Sequence, residues 1–216
     1  MKDLSKTKKL NNLFKDWKKK VPENNVWDGI INEELFDNSR KKVLFITKDP
    51  NNPKQTAGDF REWWKNSIKY AFSYRIAEWS YGILNDFPEY DEIWKNKDAA
   101  QNAIQQIAFM NIKKVGGSGS AKFDQIMDHT RKSFDFIHQE IGIIGPEIII
   151  LGISWKEIRT ELFPKQEWKN SGYNIDIAKY KKSKIIDFYH PSSRNAPSAS
   201  YSLLQNIIRS KPFMEL

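Results

Sequence analysis

The chain has 216 residues, with 35 Lys and Arg against 27 Asp and Glu, a formal net charge of +8 and 39% hydrophobic residues. That length and composition suit one α/β domain with a filled core and exclude a disordered chain, and the positive balance favours a polyanionic partner, nucleic acid first. The sequence contains no cysteine, which excludes disulfides, thiolate metal sites, cysteine nucleophiles and iron–sulfur clusters; its three histidines, His129, His138 and His190, are too scattered to suggest a metal site.

Residues 1–20 carry eight lysines against Asp3 and Asp16, without the apolar stretch of a signal peptide. No apolar run reaches the roughly 20 residues of a membrane span, so the chain reads as soluble and cytoplasmic. Leu10, Leu13, Phe14 and Trp17 recur at helical spacing and predict a short helix over 9–17, the start of a basic helical cap (1–40) on a single domain (1–216). The lysines of this cap either face solvent or touch phosphate. KVLFITK (42–48) is the first strand, ended by Asp49-Pro50, because proline removes a ladder donor. The polar loop NNPKQTAG follows.

Residues 59–84 are rich in aromatics and predict one or two helices whose rings are mostly core. A helix from Lys97 leads into the strand QQIAFMNI (105–112). The loop GGSGSA (116–121) is either a nest of N–H groups for a phosphate or a structural turn, and it precedes a helix over about 123–141. PEIIILGI (146–153) is nearly uniformly apolar, as expected of a parallel strand covered on both faces by helices. SWKEIRTEL (154–162) is its helix, KSKIIDFYH (182–190) the fourth strand, and SASYSLLQNIIRS (198–210) the last helix. The basic run KYKKSK (179–184) leads into that strand and overlaps its first three residues.

This alternation predicts a doubly wound, mainly parallel four-stranded sheet flanked by helices, with a ligand beyond the carboxyl ends of its strands. Those ends carry Asp49, Asn111, Gly152 and His190, so an acid, an amide and an imidazole share one edge.

In order, ITKDPNN, IAFMNIKK, PEIIILG and YHPSSRN resemble the uracil-DNA glycosylase superfamily over residues 43–209. Members carry Asp-Pro after the first strand, Asn ending the second, an apolar third strand finishing in Gly, and His-Pro-Ser after the last. The resemblance implies a monofunctional glycosylase, monomeric and free of cofactor and metal, acting on DNA. Asp49 would sit below the sugar and orient water, and His190, as a neutral donor, would stabilise the leaving base at O2. Asn111 would read the Watson–Crick edge of an extruded base, and Phe60, Trp63 or Trp64 would stack on it. Ser192, Ser193 and Arg194 on one side, and Lys113, Lys114 and Ser118 on the other, would meet the DNA backbone.

The sequence departs from the family pattern after Asp-Pro. Uracil-specific members continue with Tyr and His, and the tyrosine walls off pyrimidine C5; here Asn51 and Asn52 follow. The implied substrate is a pyrimidine with a bulky or polar 5-substituent, such as hydroxymethylated or glycosylated cytosine in phage DNA, and the implied role is anti-phage defence. The lead into the acid is also changed, from Gly-Gln to Thr47-Lys48. Competing readings are a uracil-excising repair glycosylase, a non-catalytic DNA-binding module of the same fold, and an α/β hydrolase that uses Asp49 and His190 on a nucleotide or phosphoester.

Overall fold

A computed structural model describes residues 4–52, 54, 56–65, 68–117 and 119–216. Helix α1 (Lys6–Lys20) is longer than expected from periodicity; it buries the stripe Leu10, Leu13, Phe14 and Trp17, and Ser5 caps it by accepting the Lys8 N–H. Strands β1 (Val26–Trp27) and β2 (Gly29–Ile30) and helix α2 (Glu33–Asn38) lead to β3 (Val43–Thr47), five consecutive buried residues. Strand β4 (Gly58–Asp59) pairs with β1. The aromatic stretch forms two helices, α3 (Phe60–Lys65) and α4 (Ala71–Leu84), followed by α5 (Lys97–Gln105) and β5 (Ala108–Asn111).

The helix expected over 123–141 is two, α6 (Phe123–Lys132) and α7 (Phe134–Ile144). They part at Ser133, whose hydroxyl accepts the Trp17 indole N–H at 3.0 Å, and Gly145 ends α7 in the left-handed conformation that favours glycine (φ 65°). Strand β6 (Ile148–Leu151), α8 (Lys156–Leu162), β7 (Lys169–Asn170), β8 (Asp176–Tyr180), β9 (Ser183–Asp187), α9 (Pro197–Arg209) and α10 (Lys211–Met214) complete the chain.

The main sheet has seven strands in the order β2-β5-β3-β6-β9-β8-β7, not the expected four. Its centre, β5-β3-β6-β9, is parallel and consists of the four expected strands. The additions are antiparallel: β2 on β5 at one edge, β8 and β7 beyond β9 at the other. They escape a periodicity search because β2 and β7 are two residues long and β8, DIAKY, interleaves charges with its apolar side chains. Tyr180 pairs with Ser183, so Lys181 and Lys182 of KYKKSK are the two-residue turn of a hairpin. This turn lies at the amino end of β9, the edge opposite Asp49 and His190.

Side chains alternate between two core layers. Val43, Phe45, Phe109, Ile148 and Ile150 pack with α4, α5 and α9, while Leu44, Ile46, Met110, Ile149 and Leu151 pack with α1, α6, α7 and α8. The connection from β3 to β5 runs over the first face and that from β6 to β9 over the second. Loops therefore leave β3 and β6 in opposite directions, the arrangement that in open α/β sheets places a ligand crevice beyond the carboxyl ends, and Asp49 follows β3 at that point.

Candidate active site at the carboxyl edge of the sheet

Register brings the edge together. Thr47 lies opposite Asn111, and the ladder continues past β3 and β5 with the Lys113 N–H donating to the Lys48 carbonyl at 2.9 Å. Gly152, after β6, donates its N–H to the Ile46 carbonyl at 2.8 Å. A Cβ on Gly152 would lie 3.4 Å from His190 Cα and 3.3 Å from Pro191 Cδ, so the His-Pro turn rests on this glycine. His190 thus follows the strand two positions from β3, roughly 10 Å across the sheet.

Asp49 is held in a nearly dry socket. Its side chain is 8% exposed, and Lys113 Nζ lies 3.6 Å from Oδ2. Burial pushes its carboxyl above the usual range, against the opposing pull of the Lys113 and Lys48 ammonium groups. The first two residues of GGSGSA form the other wall. The Gly117 N–H donates to the Pro50 carbonyl at 2.8 Å, and Gly117 bridges to Asn51. A Cβ on Gly117 would sit 2.0 Å from Asp49 Oδ2, and one on Gly116 2.2 Å from the Asn52 carbonyl oxygen. These glycines pack against the Asp-Pro-Asn-Asn turn, and the Gly117 N–H is spent on it, so this half of the loop forms a wall and not a phosphate nest.

His190 is partly buried beside Phe72, with ring centroids 5.8 Å apart. The Ser192 N–H donates to His190 Nδ1 at 3.1 Å, which keeps Nδ1 unprotonated and places the ring proton on Nε2. Burial, and then the positive charge of Lys48, push the imidazole down to about 4. Lys48 acts electrostatically on both Asp49 and His190 and lies 4.7 Å above the Trp155 ring, so one ammonium group influences both acid and imidazole. Asn111 is buried; its Oδ1 accepts the Thr47 hydroxyl at 2.8 Å, and its backbone N–H donates to Asp28 Oδ2 at 2.8 Å.

The remaining expected residues separate by burial. Asn51, Ser192 and Arg194 are exposed, and Ser193 is half-buried with its hydroxyl accepting from Asn195 at 3.2 Å. Ser118 lies outside the described residues. Phe60 is half-buried, whereas Trp64 is 4% exposed and packs on Phe109 at 4.9 Å, in the core and not in the crevice. The ring beside His190 is Phe72. Two lysines expected at phosphates lie inside. Lys113 serves Asp49 and Gln125, while Lys114, 1% exposed, pairs with Asp28 and with Glu140 at 2.8 Å. Both carboxylates are fully buried, and burial drives the Glu140 carboxyl well above its usual range.

Sequence reasoning passed over Phe72 as a site residue and noted Lys48 only as a departure from the family pattern, not as a charge acting on Asp49 and His190. Alternation from buried Ile46 could have flagged Lys48; nothing local distinguishes Phe72 from its aromatic neighbours. A cavity of about 840 Å³ opens elsewhere, lined by Met127, Arg131, Phe134, Lys156 and Thr160 between α6 and α8, and takes in none of these residues. Among the described residues, no group of three or more His, Asp and Glu is placed to hold a metal ion, and no helix is long and apolar enough to cross a membrane.

No protein-family model matches the chain, and no curated protein matches it. What the edge can do follows from its side chains: a buried carboxylate beside a cation, a neutral imidazole that carries its proton on Nε2, and a buried amide on the neighbouring strand β5.

Proposed function

We propose that this protein is a DNA glycosylase, akin to the uracil-DNA glycosylase superfamily, that hydrolyses the N-glycosidic bond of a flipped pyrimidine. The observation that carries this reading is the Ser192 N–H bond to His190 Nδ1, which commits the imidazole to be an Nε2–H donor on the same sheet edge as a carboxylate. Breaking the C1′–N1 bond leaves its electron pair on the base and positive charge on the sugar. Asp49 stabilises that sugar, orients the water that forms the new C1′–O bond, and takes its proton. The Nε2–H of His190 donates to base O2 as the negative charge grows there, and the base anion leaves to be protonated by solvent. Asn111, with Oδ1 engaged by Thr47, offers its amide donors to the base.

The substrate class follows from Asn51. It is exposed, small and polar where the uracil-specific enzymes carry a tyrosine wall, and its backbone is fixed on Gly117. A 5-hydroxymethylated or glycosylated cytosine fits such an opening, and its occurrence in phage DNA makes defence the biological setting.

Mass spectrometry of bases released from DNAs carrying uracil, mismatched thymine or 5-modified cytosines tests enzyme and substrate together. Release of a 5-modified cytosine is expected. Asp49→Asn and His190→Ala each lower it by a factor on the order of 10²–10⁴ with DNA affinity retained. Uracil release with modified cytosines untouched overturns the substrate; no release from any DNA overturns the enzyme and leaves a binding module.

A further inference from the structure

Beyond the crevice, three large aromatic side chains lie open to solvent within one short stretch: Trp63 is 38% exposed, Tyr70 62% and Tyr74 42%. The other exposed large apolar side chains among the described residues, such as Tyr173 and Met214, belong to separate elements. Trp63 and Tyr70 lie nearly parallel, 9° between planes and 6.3 Å between centroids, and Tyr74 follows one helical turn after Tyr70. The Trp63 ring also meets the buried Trp64 edge-on at 4.6 Å, which anchors this end of the ledge on the core. Inside the core the ledge is linked to the candidate active site, since the buried Trp64 packs on Phe72 with ring centroids 5.8 Å apart and Phe72 packs on His190 at 5.8 Å. Lys69, next to Tyr70, and Lys54, in the loop after Asp49, are exposed on a chain of net charge +8.

We infer that Trp63, Tyr70 and Tyr74 form a stacking ledge for unpaired bases, so that the protein takes its DNA as a single strand. A duplex buries the faces of its bases on one another and can offer such a ledge only its backbone. An unpaired strand offers a π-face at every nucleotide and phosphates for the lysines, a combination that binds without reading sequence. A base entering the crevice from a single strand also costs no unpairing. The inference rests on the carboxyl edge being a DNA site, but its test reads binding to unmodified DNA and not base release, so either can fail alone.

Fluorescence anisotropy of a labelled unmodified oligonucleotide, alone or annealed to its complement, at one salt concentration gives the comparison. The single strand is expected to bind at least about tenfold tighter than the duplex. Tyr70→Ala and Tyr74→Ala each weaken single-strand binding by about tenfold, and the duplex by less than about twofold, while Tyr70→Phe keeps wild-type affinity. Tyr70 caps α4 through its backbone, its N–H donating to Ser73 Oγ at 3.1 Å, so Tyr70→Ala leaves the fold intact even if Trp63→Ala does not fold. Equal or tighter duplex binding overturns the inference, as does an unchanged single-strand affinity in Tyr70→Ala. Sedimentation showing a dimer that Tyr70→Ala disrupts would make the ledge a contact between copies and also overturn it.

Discussion

His190 titrates at about 4 in the folded chain, against 6.5 for a free histidine. Between those values the unfolded state holds the extra proton, so this residue's contribution to stability is lost as pH falls from 6.5 toward 4. Asp49 has the opposite sign. Its carboxyl is raised above 3.8, the native state keeps the proton longer, and stability falls as pH rises from 3.8 through the folded value. An NMR titration of the His190 ring is expected to show a midpoint near 4, and a midpoint near 6.5 would mean that neither burial nor Lys48 acts on the ring. The profile of kcat/KM is expected to have no inflection at 6.5 and an acid limb that belongs to Asp49. Lys113 lowers Asp49 by its charge, so Lys113→Met moves that limb to higher pH; a stationary limb removes Lys113 from the site.

The two loops that meet at Asp49 act as one element. Asp-Pro-Asn-Asn turns because Pro50 ends the β3 ladder, and Gly116-Gly117 closes on it because no side chain fits between them. Gly117→Ala drives a Cβ into the Asp49 carboxylate, 2.0 Å away in the present geometry, so the carboxylate must move. Displacing a catalytic group by about 1 Å can cost on the order of 10²-fold, and a loss of 10- to 100-fold in kcat is expected from this substitution. Gly119→Ala, whose added Cβ would have no described residue within 4 Å apart from its chain neighbours, is the matched control and is expected to keep full activity. Equal kcat values for the two variants would mean that the wall does not hold the acid. The β8–β9 hairpin is a separate element on the opposite edge, and its lysines take no part in this crevice.

On the scale of the whole molecule, Asp28, Lys114 and Glu140 join the segment after α1, the loop after β5 and helix α7 in one dry cluster, roofed by the Phe14 and Trp17 rings 5.4 and 5.3 Å from Lys114 Nζ. Removing the cation leaves two carboxylates facing each other without solvent. Lys114→Met is therefore expected to cost about 3–5 kcal/mol in urea unfolding, with DNA affinity unchanged while the protein remains folded. A loss below about 1 kcal/mol would mean that water reaches the cluster. The four central strands and the edge they share were legible in the sequence. Runs such as VLFIT and IIIL suit strands buried on both faces, as in a parallel sheet covered by helices, and Asp49, Asn111 and His190 follow or close the strands of this edge. Short antiparallel strands were not legible, since two residues carry no periodicity. Nor did sequence separate Lys113 and Lys114 from a phosphate-binding pair, Phe72 from the other aromatics, or the two glycines from a nest. Periodicity is written within a few neighbouring residues, so the sequence by itself determined the strands and the order of the groups at their ends. Whether a charge is buried depends on partners far away in the chain, 86 residues for Asp28 and Lys114, and that was decided only by the tertiary structure.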